Sequence, residues 1–179
     1  MNKNLLLRPR LKLAKLPTPL DRVENLGKSL GNLDLWIKRD DLTGFGFGGN
    51  KVRSLEYLAA DAMKKNSNIL ITGGSHGSNH VRTTMAVAAH LGLKGLAVLS
   101  GTRPSTKNGN LLLDQLLGAK LIFTGDENRS NIDNFIEDEV KRLQSLDERP
   151  YLIRRGGVSS LGCIGYVSAA MEICSQLQN

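Results

Sequence analysis

The chain has 179 residues, of which 40% are hydrophobic and 23% are charged, as is typical of a globular protein of one or two domains. Its apolar runs are far shorter than a membrane span, and its basic start lacks an apolar core of signal-peptide length. We therefore expect no membrane association and a cytoplasmic location. The net charge of +7 is spread over scattered basic residues, which fits an anionic cofactor and substrate. Nucleic acid is the weaker alternative, and we expect no nucleic-acid partner.

Short apolar runs alternate with longer helical patterns along the chain. Strands are predicted at 34–38, 68–72, 95–99, 120–123 and 151–154. Helices are predicted at 51–65, 79–91, 109–117, 130–145 and 161–177. The middle strands are continuously apolar, as strands buried on both faces should be. The pattern predicts an α/β fold with an open parallel sheet in a three-layer α/β/α arrangement.

The first candidate site is Gly48-Gly49-Asn50-Lys51, directly before the helix predicted at 51–65. Glycines allow a sharp bend and the close approach of a flat ligand, and Asn50 suits the N-cap position. Lys51 then lies in the first helical turn, where the helix dipole disfavours another positive charge. We expect its amine to be a good nucleophile toward a carbonyl, as a Schiff-base lysine must be.

The second candidate site is the loop of residues 73–80, which follows the strand predicted at 68–72. In open parallel sheets, ligands bind at the carboxyl ends of the strands, where loops lead into helices. The backbone N–H groups and hydroxyls of this loop can hold an anion at the start of the next helix. Ser78 and Asn79 could instead serve only as helix caps, and His80 is as well explained by packing as by substrate contact.

Several motifs occur together in an order and spacing that are familiar. They are Pro17-Thr18-Pro19-Leu20, Ile37-Lys38-Arg39-Asp40-Asp41-Leu42, Gly48-Gly49-Asn50-Lys51, Ser78-Asn79-His80-Val81-Arg82, Arg154-Arg155-Gly156-Gly157 and Gly162-Cys163-Ile164-Gly165-Tyr166. In these motifs the chain resembles the D-cysteine desulfhydrase and 1-aminocyclopropane-1-carboxylate deaminase family. These are pyridoxal-phosphate enzymes of the tryptophan-synthase-β-like fold, also called fold type II.

The resemblance implies that pyridoxal 5'-phosphate is the cofactor and that Lys51 forms a Schiff base with it. Asn50 and Asn79 would contact the cofactor, with Asn79 bonding the ring hydroxyl. The cofactor would act as an electron sink for negative charge at the substrate Cα. Lys51 would be the catalytic base that removes or returns the Cα proton.

The resemblance also implies a small amino acid as substrate, bound by Ser75, Ser78 and His80. Ser78 would be catalytic, holding the substrate carboxylate or relaying a proton. The Ser78-Asn79-His80 form looks more like the desulfhydrase branch, which eliminates sulfide from D-cysteine and yields pyruvate and ammonia. Ring opening of 1-aminocyclopropane-1-carboxylate stays open as an alternative, as does an inactive remnant or interaction subunit.

The resemblance covers only the N-terminal half of such enzymes, so we expect a truncated or split product. Residues 1–50 would be the N-terminal part of the large domain, 51–155 the small α/β domain, and 156–179 the return into an incomplete large domain. The phosphate loop and the partner of the pyridine nitrogen would lie outside the chain. The expected partners are a second copy in a homodimer or a polypeptide that supplies the missing half.

Some residues have expected roles that are only structural. Cys163 and Cys174 share a predicted helix and should be reduced thiols in a core or an interface. Lys38-Arg39 and Asp40-Asp41 should pair locally at a strand end. Arg82 should be a surface or domain-contact residue, and the three scattered histidines do not suggest a metal site.

Overall fold

The protein is described by a computed structural model that covers residues 8–178. The strands are β1 (Leu20–Arg22), β2 (Trp36–Lys38), β3 (Ile69–Gly74), β4 (Lys94–Leu99), β5 (Lys120–Phe123) and β6 (Pro150–Leu152). The helices are α1 (Glu24–Ser29), α2 (Lys51–Lys64), α3 (Asn79–His90), α4 (Gly109–Leu116), α5 (Ile132–Gln144) and α6 (Ser160–Gln176). All five strands and all five helices predicted from the sequence are present, and each begins and ends within two residues of its expected bounds.

The central feature is a four-stranded parallel sheet in the order β5-β4-β3-β6. Side chains on successive strand residues point to opposite faces, so each strand supplies two apolar layers. One layer packs against α5 and comprises Ile69, Ile71, Leu96, Val98, Ile132, Ile136 and Leu143. The opposite face of the sheet is covered by α2, α3 and α4, through clusters that include Leu55, Leu70, Val81, Val87, Ala97, Leu99 and Leu111. The predicted α/β class and three-layer arrangement are confirmed.

The strand register brings the carboxyl ends of the sheet to one edge. Gly74 of β3 lies opposite Leu99 of β4, and Leu99 lies opposite Phe123 of β5. The loops that follow these strands therefore open on the same side of the sheet. β3 runs two residues beyond its predicted end, so that its last two residues are Gly73 and Gly74.

Residues 20–38 form a small separate element that the sequence predicted only in part. The predicted strand at 34–38 is present as β2, but it pairs antiparallel with β1 and not with the parallel sheet. Neither β1 nor α1 was predicted, because β1 has three residues and α1 has six, too few for a periodic pattern.

A buried ionic cluster joins this N-terminal element to α2 and α6. Arg53 is 1% exposed and donates two hydrogen bonds to Asp40, both at 2.8 Å, and two to Glu172, both at 3.0 Å. It also donates to the hydroxyl of Thr18 at 3.1 Å. Lys38 lies 3.0 Å from Glu172 and completes the cluster.

The expected local pairing of Lys38-Arg39 with Asp40-Asp41 is therefore only half correct. Arg39 does pair with Asp41, at 2.8 Å. Lys38 and Asp40 instead bond to α6 and α2, because a buried charge needs a well-placed opposite charge and these two side chains point inward.

The outer surface of α6 corrects part of a second expectation, the core location of the two cysteines, while an interface location stays a prediction. Cys163 and Cys174 are both free thiols, but both are exposed and so are not core residues. The helix buries Gly162, Gly165 and Ala169 against α2 and leaves the opposite face open.

None of the helices in residues 8–178 combines the length and apolar composition of a membrane span. The domain boundaries at 51 and 155 stay a prediction.

Candidate functional site

The glycine loop, residues 44–50, delivers Lys51 to the start of α2. Gly48 and Gly49 have φ values of +78° and +106°, which side chains other than glycine rarely adopt. A Cβ at Gly48 would also collide with the Asp41 carbonyl. Asn50 occupies the N-cap position as expected, but its exposed side chain makes no capping hydrogen bond. The backbone conformation of the glycine pair, and not a side-chain cap, therefore sets where Lys51 lies.

The loop between β3 and α3 places Ser78 directly over the end of the sheet. A Cβ at Gly74 would lie 2.8 Å from the Ser78 hydroxyl, so glycine is what lets the serine approach this closely. Ser78 occupies the N-cap position of α3, but its side chain makes no capping hydrogen bond. The hydroxyl is thus not committed to capping the helix, which leaves it available to a ligand.

The two candidate sites of the sequence meet in one cleft of about 380 Å³ at the carboxyl edge of the sheet. The predicted site residues that line it are Lys51, Ser75, Ser78, Asn79 and His80. The predicted cofactor residue Asn50 does not line it. A second cleft, of about 410 Å³, lies at the opposite edge of the sheet, far from these side chains. We assign the first cleft as the candidate site, since ligands of parallel sheets bind at the carboxyl edge.

His80 is 3% exposed and its ring is held in one tautomer. The single hydroxyl proton of Thr72 is donated to the Ile153 carbonyl at 2.7 Å. The Nε2 atom of His80, 3.1 Å from the same hydroxyl, must therefore carry the ring hydrogen and donate it to Thr72. This leaves Nδ1 as an acceptor that makes no well-formed hydrogen bond.

The charge state of His80 follows from its surroundings. Burial and the positive charge of Lys51 together lower the pKa of His80 to about 4, although the Arg154 backbone opposes the shift. A ring with this pKa is neutral near pH 7. In the cleft His80 is therefore a neutral packing surface, and it has no proton to give at Nδ1.

Asn79 is oriented by a neighbour on α4. The side-chain nitrogen of Asn110 donates to the Gly77 carbonyl at 2.7 Å, which identifies it as the NH₂ end of that amide. The same NH₂ group lies 3.1 Å from Oδ1 of Asn79. The oxygen of Asn79 is thus occupied, and its nitrogen is free to donate to a ligand.

Sequence reasoning missed three polar residues that also line the cleft, namely Ser100, Arg129 and Arg155. Ser100 follows β4, so the carboxyl-edge rule that found the loop of residues 73–80 could have found it too. Arg155 donates to the carboxylate of Asp133 at 2.7 and 2.9 Å, which no local pattern predicts.

Of the two locations expected for Arg82, the surface is wrong, and a domain contact stays a prediction. It is 7% exposed rather than superficial, and its Nη2 atom donates to the Gly48 carbonyl at 3.1 Å. The helical position of Arg82, one turn after Ser78, points it beneath the glycine loop.

Comparison with known proteins gives close matches over nearly the whole chain. A D-cysteine desulfhydrase of Klebsiella pneumoniae (strain 342) is 41% identical over 181 residues, which is 98% of this chain and 54% of that protein. A putative 1-aminocyclopropane-1-carboxylate deaminase of Pyrococcus horikoshii is 39% identical over 168 residues, 94% of this chain and 51% of that protein. The chain thus spans about half the length of the curated relatives it matches.

The solved structures agree with the sequence matches. The crystal structure of an ACC deaminase homologue superposes with a TM-score of 0.90 at 38% identity, covering 97% of this chain and 53% of that one. The family model described as pyridoxal-phosphate dependent enzyme matches residues 11–179, more than nine-tenths of the sequence. The chain therefore belongs to the family of pyridoxal-phosphate dependent enzymes.

Proposed function

We propose that the cleft binds pyridoxal phosphate on Lys51 and carries out elimination or deamination of a small amino acid. The observation that carries this proposal is the position of the Lys51 amine. It lines the same cleft as the Ser78 hydroxyl and the Asn79 amide, at the edge of the sheet where ligands of such folds bind.

The residues present fit this cofactor. An aldehyde needs an amine, and the Lys51 side chain forms no ion pair with any of the described carboxylates. A ring oxygen that carries negative charge needs a donor, and the free nitrogen of Asn79 supplies one. A flat ring needs backbone without side chains, and Gly73, Gly74 and Gly156 line the cleft.

Each of the chain's own groups then has a task. Lys51 is placed to remove or return the Cα proton as a general base. The Ser78 hydroxyl, with Ser75 beside it, is placed to bind the substrate carboxylate or to pass on a proton. His80 is neutral and carries no proton at Nδ1, so it does not protonate the leaving group. The bound cofactor supplies an electron sink for the negative charge at Cα.

We infer that the substrate is D-cysteine, which with one water gives pyruvate, sulfide and ammonia. Support comes from the Klebsiella relative, whose name is D-cysteine desulfhydrase. Opening of 1-aminocyclopropane-1-carboxylate to a keto acid and ammonia is the second candidate, supported by the name of the Pyrococcus relative. Release of sulfide separates the two reactions, because only the first produces it.

We infer further that a second polypeptide segment, from a partner or another copy, completes the site in the full enzyme. Large apolar side chains are exposed on both segments that flank the sheet. They include Leu30, Leu33, Trp36, Ile37 and Phe47 on one side and Val158, Tyr166 and Leu177 on the other. Uncovered apolar surface of this kind marks an interaction site.

The test of the cofactor role is reductive trapping. The purified chain is mixed with pyridoxal phosphate, reduced with borohydride and mapped by peptide mass spectrometry. We expect one dominant adduct on Lys51, its loss in Lys51→Ala, and its retention in Lys64→Ala, which changes an exposed lysine of the same helix. Equal labelling of Lys51 and Lys64 in the parent chain would contradict the proposal.

The reaction is tested with the unreduced chain and pyridoxal phosphate, to which the separately produced C-terminal half of the Klebsiella relative is added. We expect sulfide and pyruvate from D-cysteine only in the mixture, and none when Lys51→Ala is used. If the chain traps the cofactor but the mixture turns over neither amino acid, the cofactor site stands and the substrate inference fails.

A further inference from the structure

Arg82 is a buried cation that the reaction described above does not use. The residue is 7% exposed, and within the described residues its guanidinium has one hydrogen-bond acceptor, the Gly48 carbonyl at 3.1 Å, while Nε has none. Burying an arginine with so few partners is costly, so its place in the fold needs a reason.

The bond to Gly48 joins the two halves of the site. The glycine loop is also held by bonds from residues 40–45. The Gly49 N–H donates to the Asp40 carbonyl at 2.8 Å, and the Thr43 hydroxyl donates to the Gly49 carbonyl at 3.1 Å. Arg82 adds a bond from α3, the helix that begins with Asn79. It therefore fixes the loop that carries Lys51 to the element that carries the other site residues.

Asp114, on α4, is the counter-charge behind Arg82. It is fully buried, and neither carboxylate oxygen has a hydrogen-bond partner. Burial raises the pKa of Asp114 to about 7, and the positive charge of Arg82, the one charged group that acts on it, opposes this rise. Burial likewise lowers the pKa of Arg82, against the influence of Asp114. Each group thus reduces the other's cost of burial.

We propose that Arg82 is a positioning residue that holds the glycine loop, and with it Lys51, against α3, with Asp114 as its buried counter-charge. The inference rests on the proposed role of Lys51, since without that role the loop would have nothing to position.

The experiment compares Arg82→Met and Arg82→Lys with the parent chain by hydrogen exchange of the segment 44–51 and by the rate of pyridoxal-phosphate trapping on Lys51. Arg82→Met removes a hydrogen bond from a charged donor. We therefore expect the amide hydrogen-exchange rate of the segment 44–51 to rise about tenfold or more, and the rate of trapping on Lys51 to fall. Arg82→Lys keeps the charge and should recover part of both. The control is Arg142→Met, which removes an exposed arginine and should change neither.

Asp114→Asn keeps the shape of the side chain, and it tests the same proposal if Arg82→Met fails to fold. We expect it to slow trapping at pH 8.5, where the parent carboxyl is charged, and to match the parent near pH 5.5, where that carboxyl is protonated. Unchanged exchange in Arg82→Met, or an Asp114→Asn effect that is the same at both pH values, overturns the proposal. If the parent chain traps no cofactor on Lys51, the proposed function fails. The hydrogen-exchange comparison then still tests whether Arg82 holds the glycine loop in place.

Discussion

The sheet region, residues 51–153, and the flanking segments, residues 8–50 and 154–178, are stabilised in different ways. The sheet region covers both faces of its sheet with helices and buries three apolar clusters. The flanking segments depend on the ionic cluster around Arg53 and on the approach of α6 to α2, and they carry eleven of the sixteen exposed large apolar side chains among the described residues. The difference indicates that the first region is a finished core, whereas the second carries most of the uncovered apolar surface.

The largest effect should come from Arg53→Met, which tests the ionic side of this comparison. Two carboxylates, those of Asp40 and Glu172, would lose their principal partner while remaining largely buried. Burial alone would raise the pKa of Asp40, and the bonds from Arg53 and Thr18 outweigh burial and keep it below its usual value. Breaking such a buried pair costs about 3–5 kcal/mol.

The location of the damage matters more than its size. We expect hydrogen exchange to increase in residues 18–40 and in α6, with little change in β3 and β4. Urea unfolding gives the free energy, and Arg22→Met, which removes an exposed pair with Asp34, is the control. A uniform loss of protection over the whole chain would show that the two regions do not differ as described.

The second test is a pH dependence confined to the sheet region, where His80 lies. The folded state keeps His80 neutral down to about pH 4, because burial lowers its pKa from 6.5 to about 4. The unfolded chain binds this proton near pH 6.5, so between these values it holds more protons than the folded chain. The contribution of His80 to the free energy of unfolding is therefore complete above pH 6.5 and is lost as the pH falls toward 4.

The expected size is about 3 kcal/mol, from the two pKa values. Asp114 acts in the opposite direction over an overlapping range, since its raised pKa favours the folded state at lower pH. The measurement is therefore the difference in unfolding free energy between the parent and His80→Gln at pH 7 and at pH 4.5. His90→Gln changes an exposed histidine and should show no such difference.

The contrast between the regions also explains what the sequence could predict. The elements of the sheet region have regular apolar patterns, and the carboxyl-edge rule predicts a ligand-binding loop at residues 73–80 without any long-range information. The rule selected the loop, and the family resemblance named Ser75, Ser78 and His80 within it as site residues. Their chemical roles, and that of Asn50, stay predictions.

The contacts that the sequence did not predict are long-range and polar. Arg53 and Glu172 are 119 positions apart, and nothing local in either segment indicates that they meet. Arg82 was expected at the surface or in a domain contact, and only the position of α4 shows that Asp114 compensates its burial. Local sequence patterns therefore predict poorly where a charged residue lies when its partner comes from a distant segment.

The smallest effect tests the apolar side of the comparison. Ile71 is fully buried in β3 between β4 and β6, within the cluster that α5 covers. Ile71→Val removes one methylene from that cluster and should cost about 0.5–1.5 kcal/mol. We expect the loss of protection to be spread over β3, β4 and α5, which unfold together, and to leave the rate of cofactor trapping on Lys51 unchanged. If Ile71→Val instead reduced hydrogen-exchange protection only in residues 18–40, the least stable part of the protein would be the flanking segment even when the substitution is in the core. The sheet region would then not be a finished core.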